Sequence, residues 1–261
     1  MPRSQETPFE ALPSNPLSKD DIAFLSKYLN PIYLQERTLK ALAARFAEES
    51  SCELHSLLRE DLADALEVGL REQDKADALD ASREGRIPPH TSGIGANSPW
   101  DVRGPPHKAR FCVLRDAISA LHEGSSETPS QKASRILHDL QNALFPSPAF
   151  RAWLARASSL LPLAYNVLAR RFRPGLDYTL ATGDDNESRL DVVLGLTPSC
   201  IVREKNKKNG KGKAKVKAKA KSIDWEDGEW GGWEVSRVLM FVLHFFVVEQ
   251  RNRVVVLHGS A

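Results

Sequence analysis

The sequence holds little that would staple a fold together covalently. Its 261 residues include three cysteines, Cys52, Cys112 and Cys200, widely spaced and odd in number. None belongs to a CxxC pair, so neither a disulfide framework nor a zinc knuckle is indicated, and a reducing compartment fits best. Long apolar runs are missing as well. The longest, VLMFVLHFFVV at 238–248, falls well short of the ~18–20 residues that cross a bilayer. The opening MPRSQETPFEALPSNP lacks the apolar centre of a signal peptide. There is no Walker A loop, no GxSxG and no HExxH, and the glycines around Gly93 and Gly95 lack GxGxxG spacing. A soluble intracellular protein without membrane contact is the expectation.

Histidine is present but not in the pattern that holds iron. A non-haem iron site uses two histidines and a carboxylate. It usually begins His-x-Asp or His-x-Glu, because alternate residues of a strand face the same way. None of the seven histidines is followed two positions later by a carboxylate.

What the chain does have is enough apolar material for a core. It is 41% hydrophobic and 27% charged, which suits one large or two small globular domains. The formal charge of +2 is uneven. Residues 203–221 (REKNKKNGKGKAKVKAKAK) carry +9, which leaves −7 for the rest. The basic character is therefore local. This segment reads as a solvated, self-repelling, disordered insertion between two strands. The alternatives are a phosphate contact to RNA or ribosome, or a nuclear import signal. No aromatics interleave it, so base stacking is not indicated.

Residues 1–17, rich in Pro and Ser, read as a linker or tail. Ser18 is a candidate N-cap ahead of Asp20 and Asp21, with Ile22, Leu25 and Leu29 as an amphipathic stripe ended by Asn30-Pro31. A second helix is expected from about Leu34 to Glu49. Ser50 and Glu53 fit a capping box, and Leu54, Leu57, Leu58, Leu62, Ala65 and Leu66 come next at helical spacing. Residues 74–108 lose periodicity, are rich in Pro and Gly toward their end, and predict a long irregular connection. Phe111–Leu121 reads as strand or helix. Helices are expected over Ser134–Phe145 and Ala149–Leu161, parted by Pro146-Ser147-Pro148. After Pro162, LAYNVLARRF and RLDVVLGLTP are strand-like, with Asp184 and Asp185 as turn formers between them. WEDGEWGGWEV reads as a strand entered through Gly231-Gly232, with Trp225 and Trp233 in the core; a carbohydrate or aromatic-cage site is the alternative. A helical first half and strand-rich second half make an α+β protein.

Seven stretches, FLSKYLNPIYLQ, SCELHSLL, WDVRGPPHKARF, AFRAWL, RRFRPGLDYTLATGD, RLDVVLGLTP and WEDGEWGGWEV, occur in this order. Together they resemble the C-terminal domain of the 2-oxoglutarate and iron dependent prolyl hydroxylases that act on a small-subunit ribosomal protein. The resemblance implies two double-stranded β-helix (jelly-roll) domains in the family. The first carries Fe(II) and 2-oxoglutarate, with ascorbate as helper; the second, without metal, looks like a binding or regulatory module. In some fungal relatives it is linked to oxygen-dependent degradation of a transcription factor. By that likeness residues 18–261 are one oxygenase C-terminal-type domain, with no cofactor of its own. Its partner would be a protein: the catalytic domain, a ribosomal protein or a degradation target. The location would be cytoplasm or nucleus. Arg173, Pro174, Gly175, Asp177, Tyr178, Gly231 and Gly232 are the family-motif positions. Thr182 stands about where the first iron histidine would be and Asp184 where the carboxylate would be, a degenerate metal site. The chain is expected to begin at the junction between the two domains. The match fades after Val235, so SRVLMFVLHFF is read as unrelated sequence. The last strands of the β-helix are then missing, and the sheet is left with an unpaired edge.

Overall fold

The computed structural model describes residues 7–9, 17–80, 86–96, 98–115, 127–180, 189–196, 238–247 and 253–258. Helix α1 (Lys19–Leu25) starts at a capping box: Ser18 Oγ accepts from the Asp21 N–H, and the Asp21 carboxylate accepts from the Ser18 N–H. A 3-10 turn (Pro31–Leu34) leads into α2 (Glu36–Glu49). Two further helices start on hydroxyl caps with proline in the first turn, as fits a residue with no N–H to satisfy. They are α4 (Pro129–Asp139), capped by Thr128, and α5 (Pro148–Ser158), capped by Ser147.

The chain after α2 departs from expectation. Ser50 does not open a helix. It closes α2 in the left-handed region (φ +58°), donating its N–H to Phe46 O. Ser51–His55 is a strand, β2, with Cys52 and Leu54 buried and Ser51, Glu53 and His55 exposed. That alternation has the period of two a strand requires. The Ser-x-x-Glu spacing imitated a capping box, and Leu54 happened to fall in step with the next helix. That helix, α3 (Glu60–Ala76), begins only after Arg59.

The 74–108 connection is shorter than expected. Helix α3 runs into it, and Trp100–Arg103 forms strand β3, antiparallel to β4 (Ala109–Leu114). Within the expected tail, Thr7–Pro8 (β1) pairs with β5 (Pro162–Phe172). The helix expected over Ser134–Phe145 is α4 continued by a π-helical turn, Leu140–Leu144, closed by Phe145 N–H to Leu140 O.

Strands β6 (Tyr178–Thr179), β7 (Arg189–Gly195), β8 (Val238–Val247) and β9 (Arg253–His258) complete the described set. The sheet runs β2-β9-β7-β8-β5-β4-β3, with β1 added along β5 and β6 along β4. Pairing is antiparallel except at β9, which is parallel to both β2 and β7. The strands expected to be missing where the match fades are represented among the described residues by β8 and β9. Strand β8, read as unrelated sequence, lies between β5 and β7 and pairs with each along its length. The protein is α+β.

On β7, Leu190, Val192 and Leu194 are fully buried and belong to the same core as the helices. The helical side contributes Leu25, Phe46, Phe145, Phe150 and Trp153, all at 0% exposure. Phe150 stacks on Trp153 at 5.3 Å, and the Trp153 indole N–H donates to Tyr33 O at 2.9 Å, so this large aromatic is satisfied at its polar end. Among the described residues no helix is long and apolar enough to cross a membrane.

Helices α3 and α4 touch at Gly69. A Cβ there would sit 2.2 Å from Pro129 O and 2.5 Å from Ala133 Cβ. Gly to Ala inside a helix normally gains about 1 kcal/mol; here overpacking reverses the sign. Gly69→Ala is expected to lower stability by about 1–3 kcal/mol, read as a lower urea midpoint at unchanged slope.

Candidate functional site

The end of β5 carries the motif residues into a turn. Leu176 and Asp177 both donate their N–H to Arg173 O at 3.1 Å. Gly175 takes φ +71°, a conformation that suits a residue without Cβ. Pro174 is buried and Gly175 exposed. The turn is locked by Asp177: one carboxylate oxygen accepts from the Arg173 N–H (2.9 Å) and Nε (2.8 Å), the other from Nη2 (2.9 Å). Both side chains are at 0% exposure. The remaining donor, Arg173 Nη1, reaches His90 O and Ser92 O at 2.9 and 3.0 Å, pinning residues 90–92 to the turn. Burial works to lower the Arg173 pKa, but the hydrogen bonds and charge of Asp177 outweigh it, and the guanidinium is held above its ordinary value. Tyr178 comes next in β6, paired to β4, with its hydroxyl donating to Pro106 O.

Cys112 lies beside this pair, its Sγ 3.7 Å from Asp177 Oδ2. Burial first, and then the Asp177 carboxylate, push the thiol up to about 12. An unfolded thiol titrates near ~8.5. The unfolded chain therefore loses this proton first, so the stabilisation is complete below that pH and is lost as pH rises toward the folded value. The urea midpoint is expected to fall between about pH 9 and 11, a fall that Cys112→Ala should flatten. Iodoacetamide should leave Cys112 unlabelled in the folded protein at pH 8.5.

Two residues back along β5, Arg171 forks between the last turn of α3 and its C-cap residue. Nη2 meets Asp74 at 2.7 Å and Nη1 meets Asp77 at 2.6 Å, with the guanidinium 5.9 Å from the Trp100 ring. Two carboxylates at a helix C-terminus oppose the helix dipole, and Arg171 compensates them. The buried indole N–H of Trp100 has no hydrogen-bond partner among the described residues.

On the flank of β5 that faces β1 and β4, away from β8, lies a cleft of about 380 Å³. Its walls come from β1, β4, the middle of β5 and the π-helical turn. Gln141 is buried there, and its side-chain oxygen accepts from the Ala169 N–H at 2.9 Å.

The family model described as "Oxoglutarate and iron-dependent oxygenase degradation C-term" matches residues 20–238. The chain belongs to this family. A curated relative, "Prolyl 3,4-dihydroxylase OGFOD1" of Ostreococcus tauri, is 31% identical over 176 residues, covering 66% of this chain and 32% of that protein. The chain thus spans about a third of the length of that relative. By that match it is a degradation-type C-terminal domain of the oxoglutarate and iron-dependent oxygenases.

The oxygenase family's iron can be tested against the residues of this domain. No His-x-carboxylate pair exists anywhere in the sequence. Among the described residues no three His, Cys, Asp or Glu side chains gather as a metal would need. Asp177, the carboxylate of the turn between β5 and β6, has both oxygens committed to Arg173. These residues do not fit an iron centre. Thr182, Asp184, Gly231, Gly232, Trp225, Trp233, Cys200 and the lysine segment lie outside the described residues. Sequence pattern singled out Arg173 and Asp177 as motif positions without pairing them, and it missed Arg171, Gln141 and the cleft. Their partners stand 28 to 97 positions away, beyond any local pattern.

Proposed function

We propose that this chain is a protein-docking and regulatory module that binds the catalytic half of a prolyl hydroxylase-like protein or a partner brought to it for oxygen-linked turnover. The observation that carries the reading is Asp177. In a stretch whose sequence resembles the approach to an oxygenase iron site, the acid is used for a buried pair with Arg173, which locks the turn after β5 and commits both its oxygens. A double-stranded β-helix relationship to the catalytic domain, Thr182 and Asp184 as the vestige of a metal site, and work in cytoplasm or nucleus belong to the same reading. Fe(II), 2-oxoglutarate and ascorbate then serve the other domain. The relative's name, a prolyl dihydroxylase, supports a proline-bearing substrate for the whole assembly; a ribosomal protein is the substrate the sequence resemblance implies.

The test is direct. The isolated chain, given Fe(II), ascorbate, 2-oxoglutarate and a proline-containing peptide, should form no succinate above the protein-free control. It should bind the catalytic half of a family member in calorimetry. Succinate formation by the chain alone would sink the reading. The +9 segment at 203–221 supports a second, separable contact to ribosomal RNA. Deleting it should then flatten the salt dependence of RNA binding.

A further inference from the structure

His55 and His258 stand far apart in the sequence, but β2 and β9 bring them side by side. The two strands are parallel, and their register pairs Glu53 with Val256 and His55 with His258. Paired residues of adjacent strands share a face of the sheet, and so do residues two apart on one strand. On β2 the buried face carries Cys52 and Leu54, so Glu53 and His55 lie on the face turned away from the core. The register puts His258 on that same outer face. Its other neighbour in register, on β7, is Gly195, which adds no side chain there.

The donors match one ion in type and spacing. His55 Nε2 and Glu53 Oε1 are 3.9 Å apart, on side chains 72% and 52% exposed. Two ligand atoms of a tetrahedral zinc, each bonded at ~2.0 Å, stand about 3.3 Å apart. A small rotation of either exposed side chain closes that difference. Adjacent strands lie about 4.8 Å apart, a spacing that two imidazoles span through one ion. Side-chain geometry thus joins two donors, and the backbone register supplies the third. Arg45 lies within electrostatic reach of Glu53, but its guanidinium is held by Glu49 at 3.0 Å. The Tyr33 hydroxyl donates to His55 O at 2.5 Å and fixes the end of β2. The order along β2 is carboxylate-x-His, the reverse of the oxygenase iron pattern.

We propose that Glu53, His55 and His258 form a zinc site that clips β2 to β9. Two imidazoles and one carboxylate hold the ion, and water completes the tetrahedron. Imidazole donors select zinc over magnesium or calcium. The ion joins the strand after α2 to one from the far end of the chain, so zinc acts on stability.

The probe is ZnCl2, titrated by calorimetry into the metal-stripped full chain at about pH 7.5. One equivalent should bind. His55→Ala, His258→Ala and Glu53→Gln should each weaken binding by about tenfold or more, since even losing the support of a ligand costs that much. His107→Ala, on the β3–β4 hairpin, should leave binding unchanged. At about a hundredfold excess over Kd, zinc should raise the thermal midpoint of the wild type by about 5–10 °C. His55→Ala should melt like the wild type without zinc, its side chain being exposed, and should gain far less with it. Co2+ in place of zinc should bind without a thiolate charge-transfer band. No binding, binding that survives His55→Ala or His258→Ala, an unmoved midpoint, or a thiolate band would each overturn the site.

Discussion

Asp177→Ala is expected to cost about 3–5 kcal/mol of unfolding free energy, the range for removing one partner of a buried ion pair. The carboxylate and the Arg173 guanidinium are both at 0% exposure, so the cation left behind has no water to replace its partner. The loss also frees the Arg173 N–H and removes a carboxylate that lies 3.7 Å from both Cys112 Sγ and Arg110 Nε. Urea unfolding of the two proteins at pH 7 measures it. The companion variant Arg173→Met/Asp177→Leu removes both charges and is expected to lose less than the single change, since no uncompensated ion remains. It should still fall short of wild type, because the carbonyls of His90 and Ser92 lose their donor. A loss below about 1 kcal/mol for Asp177→Ala would show that the pair is not sealed from water.

Arg171→Ala is expected to cost about 3 kcal/mol, the lower end of that range. Here the stranded groups are Asp74 and Asp77, each 22% exposed, so water recovers part of the loss. The remainder is mutual repulsion of two acids at the end of α3, against its dipole. Arg171→Lys should rescue only partly, because one ammonium cannot hold two carboxylates with a planar fork. A double-mutant cycle with Asp77→Ala separates the pair from the packing of Arg171 against Trp100. A coupling near zero would assign the whole effect to packing.

Local pattern carried far where the interactions were local. Ser18 and its acids marked a true helix start, and Pro146-Ser147-Pro148 marked the break before α5. It failed at Ser50–His55. There a period-two strand five residues long offered too few repeats to outweigh an accidental capping box. Its partner, β9, lies about 200 positions along the chain. The C-terminal segment misled for the opposite reason. Val238–Val247 is apolar but for His244, so it gave no alternation to place it, although its position between β5 and β7 asks for just such a strand.

Residue type and short spacing were enough to set the class of the protein. They showed an α+β mixture, no His-x-carboxylate pair, one concentrated run of positive charge, and a set of ordered stretches that resemble a prolyl hydroxylase C-terminal domain. The division into a helical half and a strand half did not hold, since β2, β3 and β4 lie in the first half. The roles of the motif residues emerged only once the chain was folded. Folding set Arg173 against Asp177 in a dry turn, Arg171 between Asp74 and Asp77, and Gln141 on the Ala169 N–H where β4 leaves β5. The reason is physical. A charge or an open backbone group matters according to its surroundings once water is excluded, and those surroundings are assembled from distant parts of the chain.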